Sequence, residues 1–389
     1  SMMECFFSVE YKNRGDLFEG LSIWNKKEYH ELQVSYPVIY MSFANIKGST
    51  FASAREGIIQ SLVRLYGKYS FVRDEEFMST QDLEYFDSVT LEMSDTTAAL
   101  AISSLSDYLS RYYGRKVLIL LDEYDTPLQE AYVNNFWKKL VDFMRGLFNA
   151  SFKSNPYLER GLLTGITRVS KESIFSDLNN LTVVTTTSQK YSTQFGFTQA
   201  EVFHALNEFG LDSLKDKVKY WYDGFSFGNQ KDIYNPWSIT CFLDEKRFKP
   251  YWVNTSSNEM ITSLIQQGNI ETKTIMEELL EGKELVTEID EEIIFEQLGR
   301  KKNAIWSLML ASGYLKVVSV EIDDHTDPAF IFEFKVCEES EKTLEDTVAA
   351  ARKQIQDKQY SNELVSRGIR PDRIRCYGFA FQEKKILIG

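Results

Sequence analysis

The sequence has few of the features that mark secreted, zinc-binding or membrane proteins. Its four cysteines lie far apart without Cys-x-x-Cys spacing and its three histidines are scattered, so we expect reduced thiols and no zinc site. No apolar run approaches the roughly 18 residues that a membrane span needs. The first residues show no charged-then-apolar leader pattern. These absences predict a cytoplasmic protein.

The chain also has no excess of positive charge, because Asp and Glu outnumber Lys and Arg by 57 to 44. The formal net charge is −13, which argues against indiscriminate binding to nucleic acid or anionic lipid, although a local basic stretch could still bind phosphates. By contrast, aromatic residues are abundant, with 27 Phe and 21 Tyr in 389 residues, as is typical of a well-packed chain. The length predicts two to three domains, at about 150 residues for each.

Apolar runs and helical periods alternate through the first half of the chain. Three runs are typical of buried strands: Tyr36 to Phe43, Val117 to Leu121, and Arg160 to Val169. Helices are predicted from Gly48 to Leu65, from Ser94 or Asp95 to Gly114, and from Asn134 to Phe152. This alternation favours a parallel sheet that is covered by helices on both faces.

The second half has a different pattern. From Leu211 it predicts helices and turns, including a Gly-rich aromatic turn at WYDGFSFG and a helix that Asn235 caps. From about Ala311 it predicts strands at YLKVVSVEI and AFIFEFKV, followed by a helix beginning near Thr343. The fold class is therefore α/β. The predicted divisions are a parallel-sheet domain at 1–210, a helical middle region at 211–310 and an α/β domain at 311–389.

Two adjacent carboxylates, Asp122 and Glu123, directly follow the apolar run VLILL. Parallel strands present their carboxyl ends to a ligand crevice, so this is where a P-loop ATPase places its Walker B acids. Asp122 would then bind Mg²⁺ and Glu123 would polarise the attacking water. The alternative is a strand that leaves the core into a polar loop.

On the following strand, Thr164 could sense the γ-phosphate of ATP and Arg168 could offset its charge, although Arg168 could instead form a surface ion pair. The phosphate-binding loop itself has no match. The sequence contains no Gly-x-x-x-x-Gly-Lys-Ser/Thr, so the 389 residues cannot build a complete ATP site.

Several runs, in order and over nearly the whole chain, resemble those of the bacterial AAA-ATPase-like proteins that end in a PD-(D/E)XK nuclease-like domain. They are LFEGLSIW, YPVIYMSF, VLILLDEYDTPL, LLTGITRVSKESIFSDLNN, YDGFSFG, YNPWS, FIFEFKV and YGFAF. The resemblance implies a P-loop NTPase-like first domain and a restriction-endonuclease-like last domain. It also implies that the P-loop lies just upstream of SMMECFF, so we expect the natural protein to extend before Ser1.

The last domain has its own candidate site. In AFIFEFKV, period-two alternation puts Glu333 and Lys335 on one strand face, where an acid could bind Mg²⁺ and a lysine could orient water. The alternative is an ion pair between them. The resemblance adds Gln354, which with Tyr360 is similar to the family's Gln and Tyr segment. Asp327 is the candidate for the family's further metal-binding Asp, but it lies only six residues before Glu333. We therefore suspect that residues of the natural protein are also missing from this sequence near 321–324.

Basic residues follow this strand: Arg352, Lys353, Lys358, Arg367, Arg370, Arg373 and Arg375. They could contact phosphates, although helix surfaces are often basic by chance. Together these features lead to the hypothesis of an ATP-dependent protein that acts on DNA or RNA with Mg²⁺ as cofactor. AAA-type sites often take an arginine from a neighbour, so a homo-oligomer is a further expectation. The alternative is an interaction or regulatory protein in which one or both sites are degenerate.

Overall fold

The structure, a computed structural model, describes residues 2–153, 155–165, 181–252, 259–289, 303–319, 329–337, 343–366, 369–382 and 385–388. The chain forms two compact units, Ser1–Val318 and Ser319–Gly389. The domain divisions predicted at 1–210, 211–310 and 311–389 remain predictions.

A parallel three-stranded sheet lies in the first unit. Its strands are β1 (Val38–Ser42), β2 (Val117–Asp122) and β3 (Leu158–Leu163), in the order β1-β2-β3. The first five residues of the central strand β2 are all buried, as its unbroken apolar run predicts for a strand covered on both faces. The described part of β3 ends at Leu163, six residues before the predicted end at Val169.

Helices surround this sheet. They are α1 (Met2–Phe7), α2 (Lys27–His30), α3 (Phe51–Lys68), α4 (Thr80–Ser88), α5 (Asp95–Tyr113), α6 (Thr126–Val133) and α7 (Trp137–Phe148). The main core of the unit is built largely from β1, β2, α3, α5 and α7. The predicted helix from Asn134 to Phe152 is in fact α7 followed by a π-helical turn, Asn149–Lys153. Sequence periodicity did not predict α4.

Local signals explain the bounds of α5. Ser94 caps its N-terminus by accepting a hydrogen bond from the Thr97 N–H, and Gly114 ends it in the left-handed conformation at φ 63°. Ala98, Ile102, Leu105 and Leu109 are buried at the spacing of one helix face, but Tyr112, which continues this spacing, is 40% exposed. The cap and the period of 3.6 residues therefore predicted this helix well, except at its last turn.

The rest of the first unit is mostly helical. Its elements are β4 (Phe197–Thr198), α8 (Gln199–Glu208), α9 (Lys215–Tyr222), β5 (Asp223–Phe227), β6 (Gln230–Tyr234), α10 (Pro236–Glu245), α11 (Glu259–Gln267), α12 (Ile270–Leu280) and α13 (Ala304–Ala311). Asn235 caps α10 as predicted, by accepting from the Ser238 N–H. The segment WYDGFSFG is not a simple turn, because β5 pairs with β6 as an antiparallel hairpin. No strand forms in the described residues 314–319, against the prediction for YLKVVSVEI.

The second unit is a small α/β layer. Its elements are β7 (Ala329–Val336), α14 (Leu344–Asp357), α15 (Ser361–Ser366), β8 (Ile374–Gln382) and β9 (Lys385–Ile388). Strands β7 and β8 are parallel and β9 is antiparallel to β8. Thr343 caps α14, where the sequence predicts the helix to begin. Among the residues described in both units, no helix is long and apolar enough to cross a bilayer.

Candidate functional site

Asp122 is the last residue of β2 and lies between the carboxyl ends of both neighbouring strands. The Phe43 N–H donates to the Asp122 carbonyl at 2.9 Å, which extends the β1–β2 pairing past Ser42. On the other side, the Thr164 N–H donates to the Leu121 carbonyl at 2.9 Å. The register therefore brings residues from three distant parts of the sequence to one sheet edge, where ligands of open α/β sheets bind.

The Asp122 carboxylate accepts two hydrogen bonds, both from neutral hydroxyls. Thr164 Oγ1 donates to Oδ1 at 2.5 Å, and the Tyr40 hydroxyl donates to Oδ2 at 3.2 Å. Burial, together with the negative charge of Asp122, raises the pKa of Tyr40, so this hydroxyl keeps its proton and remains a donor. Thr164 and Tyr40 therefore hold the carboxylate in place without neutralising its charge.

Glu123 has an unusual backbone conformation. Its φ is +50°, a region that non-glycine residues rarely adopt, and its side chain is exposed. This reversal allows the next residue, Tyr124, to return to the core, where its N–H donates to the Thr164 carbonyl at 3.1 Å. The Glu123 carboxylate accepts a hydrogen bond from Thr126 Oγ1 at 3.3 Å. The chain thus directs an acidic side chain to solvent, beside Asp122, at some cost in backbone strain.

Neither acid has a protein cation as partner in the part of the chain that the structure describes. No lysine or arginine there forms an ion pair with Asp122 or with Glu123. Adjacent carboxylates at the end of a buried strand are unfavourable unless solvent or a cation compensates them. Oxygen ligands of this kind suit Mg²⁺. The arrangement can therefore bind a divalent cation at the carboxyl edge of the sheet.

A third carboxylate in the same turn is buried. Asp125 is only 1% exposed, and Gln129 Nε2 donates to its Oδ2 at 2.9 Å. Gly165 approaches it so closely that a Cβ at that position would lie within van der Waals overlap of Asp125 Oδ1. Asp125 therefore fixes the turn after β2 against the segment after β3, and only glycine fits at position 165.

In the second unit, Glu333 and Lys335 share the half-buried face of β7, as period-two alternation predicts. Gln354 Nε2, from α14, donates to Glu333 Oε1 at 2.7 Å. This contact depends on Gly378, which lies opposite Glu333 on β8, because a Cβ there would lie 2.8 Å from the Val348 carbonyl oxygen of α14. The missing side chain lets the helix approach the strand closely enough for Gln354 to reach Glu333.

Lys335 makes no ion pair with Glu333 or with any other acid that the structure describes. The ion-pair interpretation of the Glu-x-Lys pattern is therefore wrong for these residues. No group of three or more His, Cys, Asp or Glu side chains that could hold a metal occurs within the described segments. The face thus presents one carboxylate, one amide and one free ammonium group at neighbouring positions.

Comparisons with known proteins support both halves of this description. Residues 1–175 match the family model described as a predicted AAA-ATPase, and residues 308–389 match the PD-(D/E)XK nuclease superfamily. Residues 1–175 are therefore similar to an AAA-ATPase-like domain, and residues 308–389 are similar to a PD-(D/E)XK nuclease-superfamily domain. A relative in Azotobacter chroococcum mcd 1, "Uncharacterized protein in vnfD 5'region", is 26% identical over 211 residues. That match covers 54% of this chain and 38% of the relative. No solved structure matches the chain.

The two family matches confirm the resemblance and the α/β fold class that the sequence predicts. Within residues 1–175, the structure brings Asp122, Glu123 and Thr164 together, whereas Arg168 lies outside the described residues. Within residues 308–389, it brings Glu333, Lys335 and Gln354 together, and Asp327 and Arg367 lie outside the described residues. The individual roles of all these residues remain predictions.

Sequence reasoning missed Tyr40 and Asp125. Tyr40 could have been predicted from the alternation of side chains along a strand. It lies two residues before Ser42, the β1 partner of Asp122, and so its side chain is on the same face of the sheet as that of Asp122. Asp125 had no usable signal, since DEYD offers three carboxylates and nothing in the pattern says which one is buried. The sequence also suggested that Thr164 senses the γ-phosphate of ATP, whereas in the structure its hydroxyl donates a hydrogen bond to Asp122.

Proposed function

We propose that this protein binds and hydrolyses ATP and couples this to a metal-dependent nuclease domain that acts on DNA or RNA. The observation that carries the ATPase half is the pair of acids at the carboxyl edge of the parallel sheet. Asp122 is held by two hydroxyls, and no lysine or arginine in the described segments neutralises it. The oriented, negatively charged carboxylate of Asp122 can therefore bind a cation from solution.

Bound Mg²⁺ would supply charge stabilisation for phosphoryl transfer. Asp122 is the proposed ligand, and Thr164 and Tyr40 keep its two oxygens oriented. Glu123 is the proposed acceptor for the proton of the attacking water, because its carboxylate is exposed and close in sequence to the ligand. Arg168 remains a proposed partner of the nucleotide.

The residues in this chain fit only one side of a nucleotide site. They provide the metal ligand and the water-activating acid, but the sequence has no Gly-x-x-x-x-Gly-Lys-Ser/Thr to hold the phosphates. Asp122 and Glu123 therefore account for the metal and the attacking water, but not for the binding of the phosphates.

The test of the ATPase half is hydrolysis of Mg²⁺–ATP by the natural protein with any sequence that precedes Ser1. Glu123→Gln should lower kcat by about 100-fold while nucleotide binding is retained, because a positioned general base contributes about 10²–10⁴-fold. Glu84→Gln, a change at an exposed acid of α4, is the matched control and should have no effect. Equal activity in the wild type and Glu123→Gln would reject this role.

For the nuclease half, the proposal is supported by three side chains at one place. Glu333 is a candidate metal ligand, Gln354 orients it at 2.7 Å, and Lys335 has no acidic partner in the described residues, so it can orient a water molecule. Exposed basic residues in the same unit, among them Arg352 and Lys353 on α14, suit a phosphate backbone.

This half is tested by incubating the protein with DNA and RNA substrates in Mg²⁺ or Mn²⁺. Lys335→Ala should abolish cleavage, whereas Lys385→Ala, at an exposed lysine of β9 in the same sheet, should retain it. Cleavage that persists in Lys335→Ala would exclude the assigned site.

One observation favours the alternative, an interaction or regulatory protein with a degenerate nuclease fold. The described segments provide no cluster of three metal-binding side chains. The alternative predicts nucleic-acid or protein binding without turnover. A complete lack of cleavage over all substrates and both metals, with binding retained, would support it.

A further inference from the structure

Within the second unit, the described helix α14 packs on one face of the sheet and leaves the other face without a helix of this unit in the described residues. Residues of β7 and β8 that are paired in register point to the same side of a parallel sheet. Phe330, Phe332 and Phe334 of β7 therefore share a face with Tyr377, Phe379 and Phe381 of β8. On β9, Ile386 and Ile388 continue this surface, which we call the aromatic face. Glu333, Lys335 and Gln354 lie on the opposite side, with α14.

The aromatic face is largely open. Phe330 is 50% exposed, Phe332 49% and Phe334 59%, and the two isoleucines of β9 are exposed to a similar degree. The rings form a continuous layer. Phe330 and Phe332 stack with centroids 6.0 Å apart and planes at 3°, and Phe334 contacts Phe379 across the strands at 4.8 Å. The surface is thus flat, ordered and apolar.

Such a face needs a cover. All-parallel sheets occur almost only with both faces packed against other elements, and sheets with one antiparallel edge strand, like this one, are common in the same class of α/β folds. With about 200 Å² for a fully exposed large apolar side chain, the three phenylalanines of β7, the two isoleucines of β9 and Val336, which is 71% exposed on the same face, expose roughly 700 Å² of apolar area. The largest apolar patch on a typical monomer is about 300–600 Å² and often marks an interaction site. We therefore expect a partner surface.

The charges on the face indicate what kind of partner it fits. Arg375 is the one charged residue among the described outward positions of the three strands, and it lies at the rim, near the start of β8. Single-stranded nucleic acid also stacks on aromatic side chains, but its phosphates need a basic groove beside them. A single arginine in a chain of net charge −13 does not supply one. The partner is therefore a protein surface that is equally apolar.

We propose that the aromatic face packs against the same face of a second copy of this chain. An isologous interface uses one patch twice, so an apolar face with a polar rim is complementary to itself. Two sheets packed face to face lie about 10 Å apart, a spacing that their interleaved aromatic side chains fill. The pair would bury roughly 1,400 Å² in total, which lies within the range of about 1,200–2,000 Å² for specific interfaces. The opposite side of each sheet, which carries Glu333 and α14, takes no part in this interface.

The test is the oligomeric state of the whole chain by sedimentation equilibrium over about a hundredfold range of concentration. The wild type should be a dimer. Phe332→Glu places two related charges in the interface and should weaken dimerisation by about 100-fold or more. The matched control is Phe209→Glu, because Phe209 is 52% exposed in the first unit. It should dimerise like the wild type.

Folding is checked separately with Phe332→Thr, an uncharged change to a residue that favours strands. This variant should keep the wild-type circular dichroism spectrum and should also dimerise more weakly. A wild type that is monomeric at every concentration would overturn the proposal, and so would a dimer that Phe332→Glu leaves unchanged. A monomer that binds oligo(dT) through Phe332 would instead assign the face to nucleic acid. A monomer that Phe332→Glu unfolds would assign it to the interior of the chain.

Discussion

Replacing Glu123 with glycine should leave the protein more stable than replacing it with alanine, while both changes remove a proposed catalytic group. Glu123 is at φ +50°, where the Cβ of an ordinary residue is crowded and glycine is not. Strain of this kind persists only where the surrounding structure enforces it. Here the buried Tyr124 and the Thr164 carbonyl fix the turn.

The magnitude follows from two opposing effects. The left-handed conformation costs about 1–2 kcal/mol for a residue with a Cβ. Glycine relieves this cost but loses about 0.5–1 kcal/mol more backbone entropy on folding. The hydrogen bond from Thr126 is lost in any truncation, so Glu123→Ala is the proper reference. We expect Glu123→Gly to be more stable than Glu123→Ala by about 1 kcal/mol.

Thermal unfolding followed by circular dichroism measures this difference. A change of about 1 kcal/mol shifts the melting temperature of a domain of about 150–250 residues by roughly 2–4 °C, and the shift for the larger first unit should be at the lower end of this range. Both variants should lack ATP hydrolysis. If Glu123→Ala were as stable as Glu123→Gly, the strain at this turn would be no larger than the backbone entropy that glycine loses, and the expected difference of about 1 kcal/mol would be refuted.

Three further substitutions test other contacts, each by its melting temperature. Thr164→Val leaves Asp122 Oδ1 without its donor and should cost about 1–2 kcal/mol; no change would exclude this hydrogen bond. Gly378→Ala should displace α14 and cost about 1–3 kcal/mol, with loss of any nuclease activity, and wild-type values for both would contradict the close approach. Leu105→Ala, in the core, should cost about 2–5 kcal/mol, whereas Leu100→Ala, at 44% exposure on the same helix, should cost about 0.5 kcal/mol or less.

The elements that the sequence predicts best are those with one dominant local signal. The run VLILL predicts a buried strand because nothing interrupts it, and Ser94 and Gly114 bracket α5 because capping is a local interaction. The hairpin Asp223–Phe227 and Gln230–Tyr234 was missed because its aromatic and glycine residues suit a turn as well as a strand. YLKVVSVEI was predicted as a strand, but no described strand pairs with its residues 314–319, and strand propensity alone does not form a strand.

The candidate sites likewise combine features that local sequence predicts with contacts that only the tertiary structure determines. Period-two alternation alone places Glu333 and Lys335 on one face. The contact between Glu333 and Gln354 could not be predicted from the residues, because it depends on how closely α14 approaches Gly378. Similarly, the sequence places Asp122 at a strand end, but only the register of three strands brings Tyr40 and Thr164 to its carboxylate.

The central claim is that Asp122 binds the metal of a nucleotide at the sheet edge. Titration calorimetry of ATP into the natural protein, with Mg²⁺ and with EDTA, tests it most directly. We predict Mg²⁺-dependent binding that Asp122→Asn weakens by about tenfold or more and that Asp142→Asn, at an exposed acid of α7, leaves unchanged. Binding with the same affinity in the wild type and Asp122→Asn, or no binding by a wild type that contains a phosphate-binding loop, would contradict the claim.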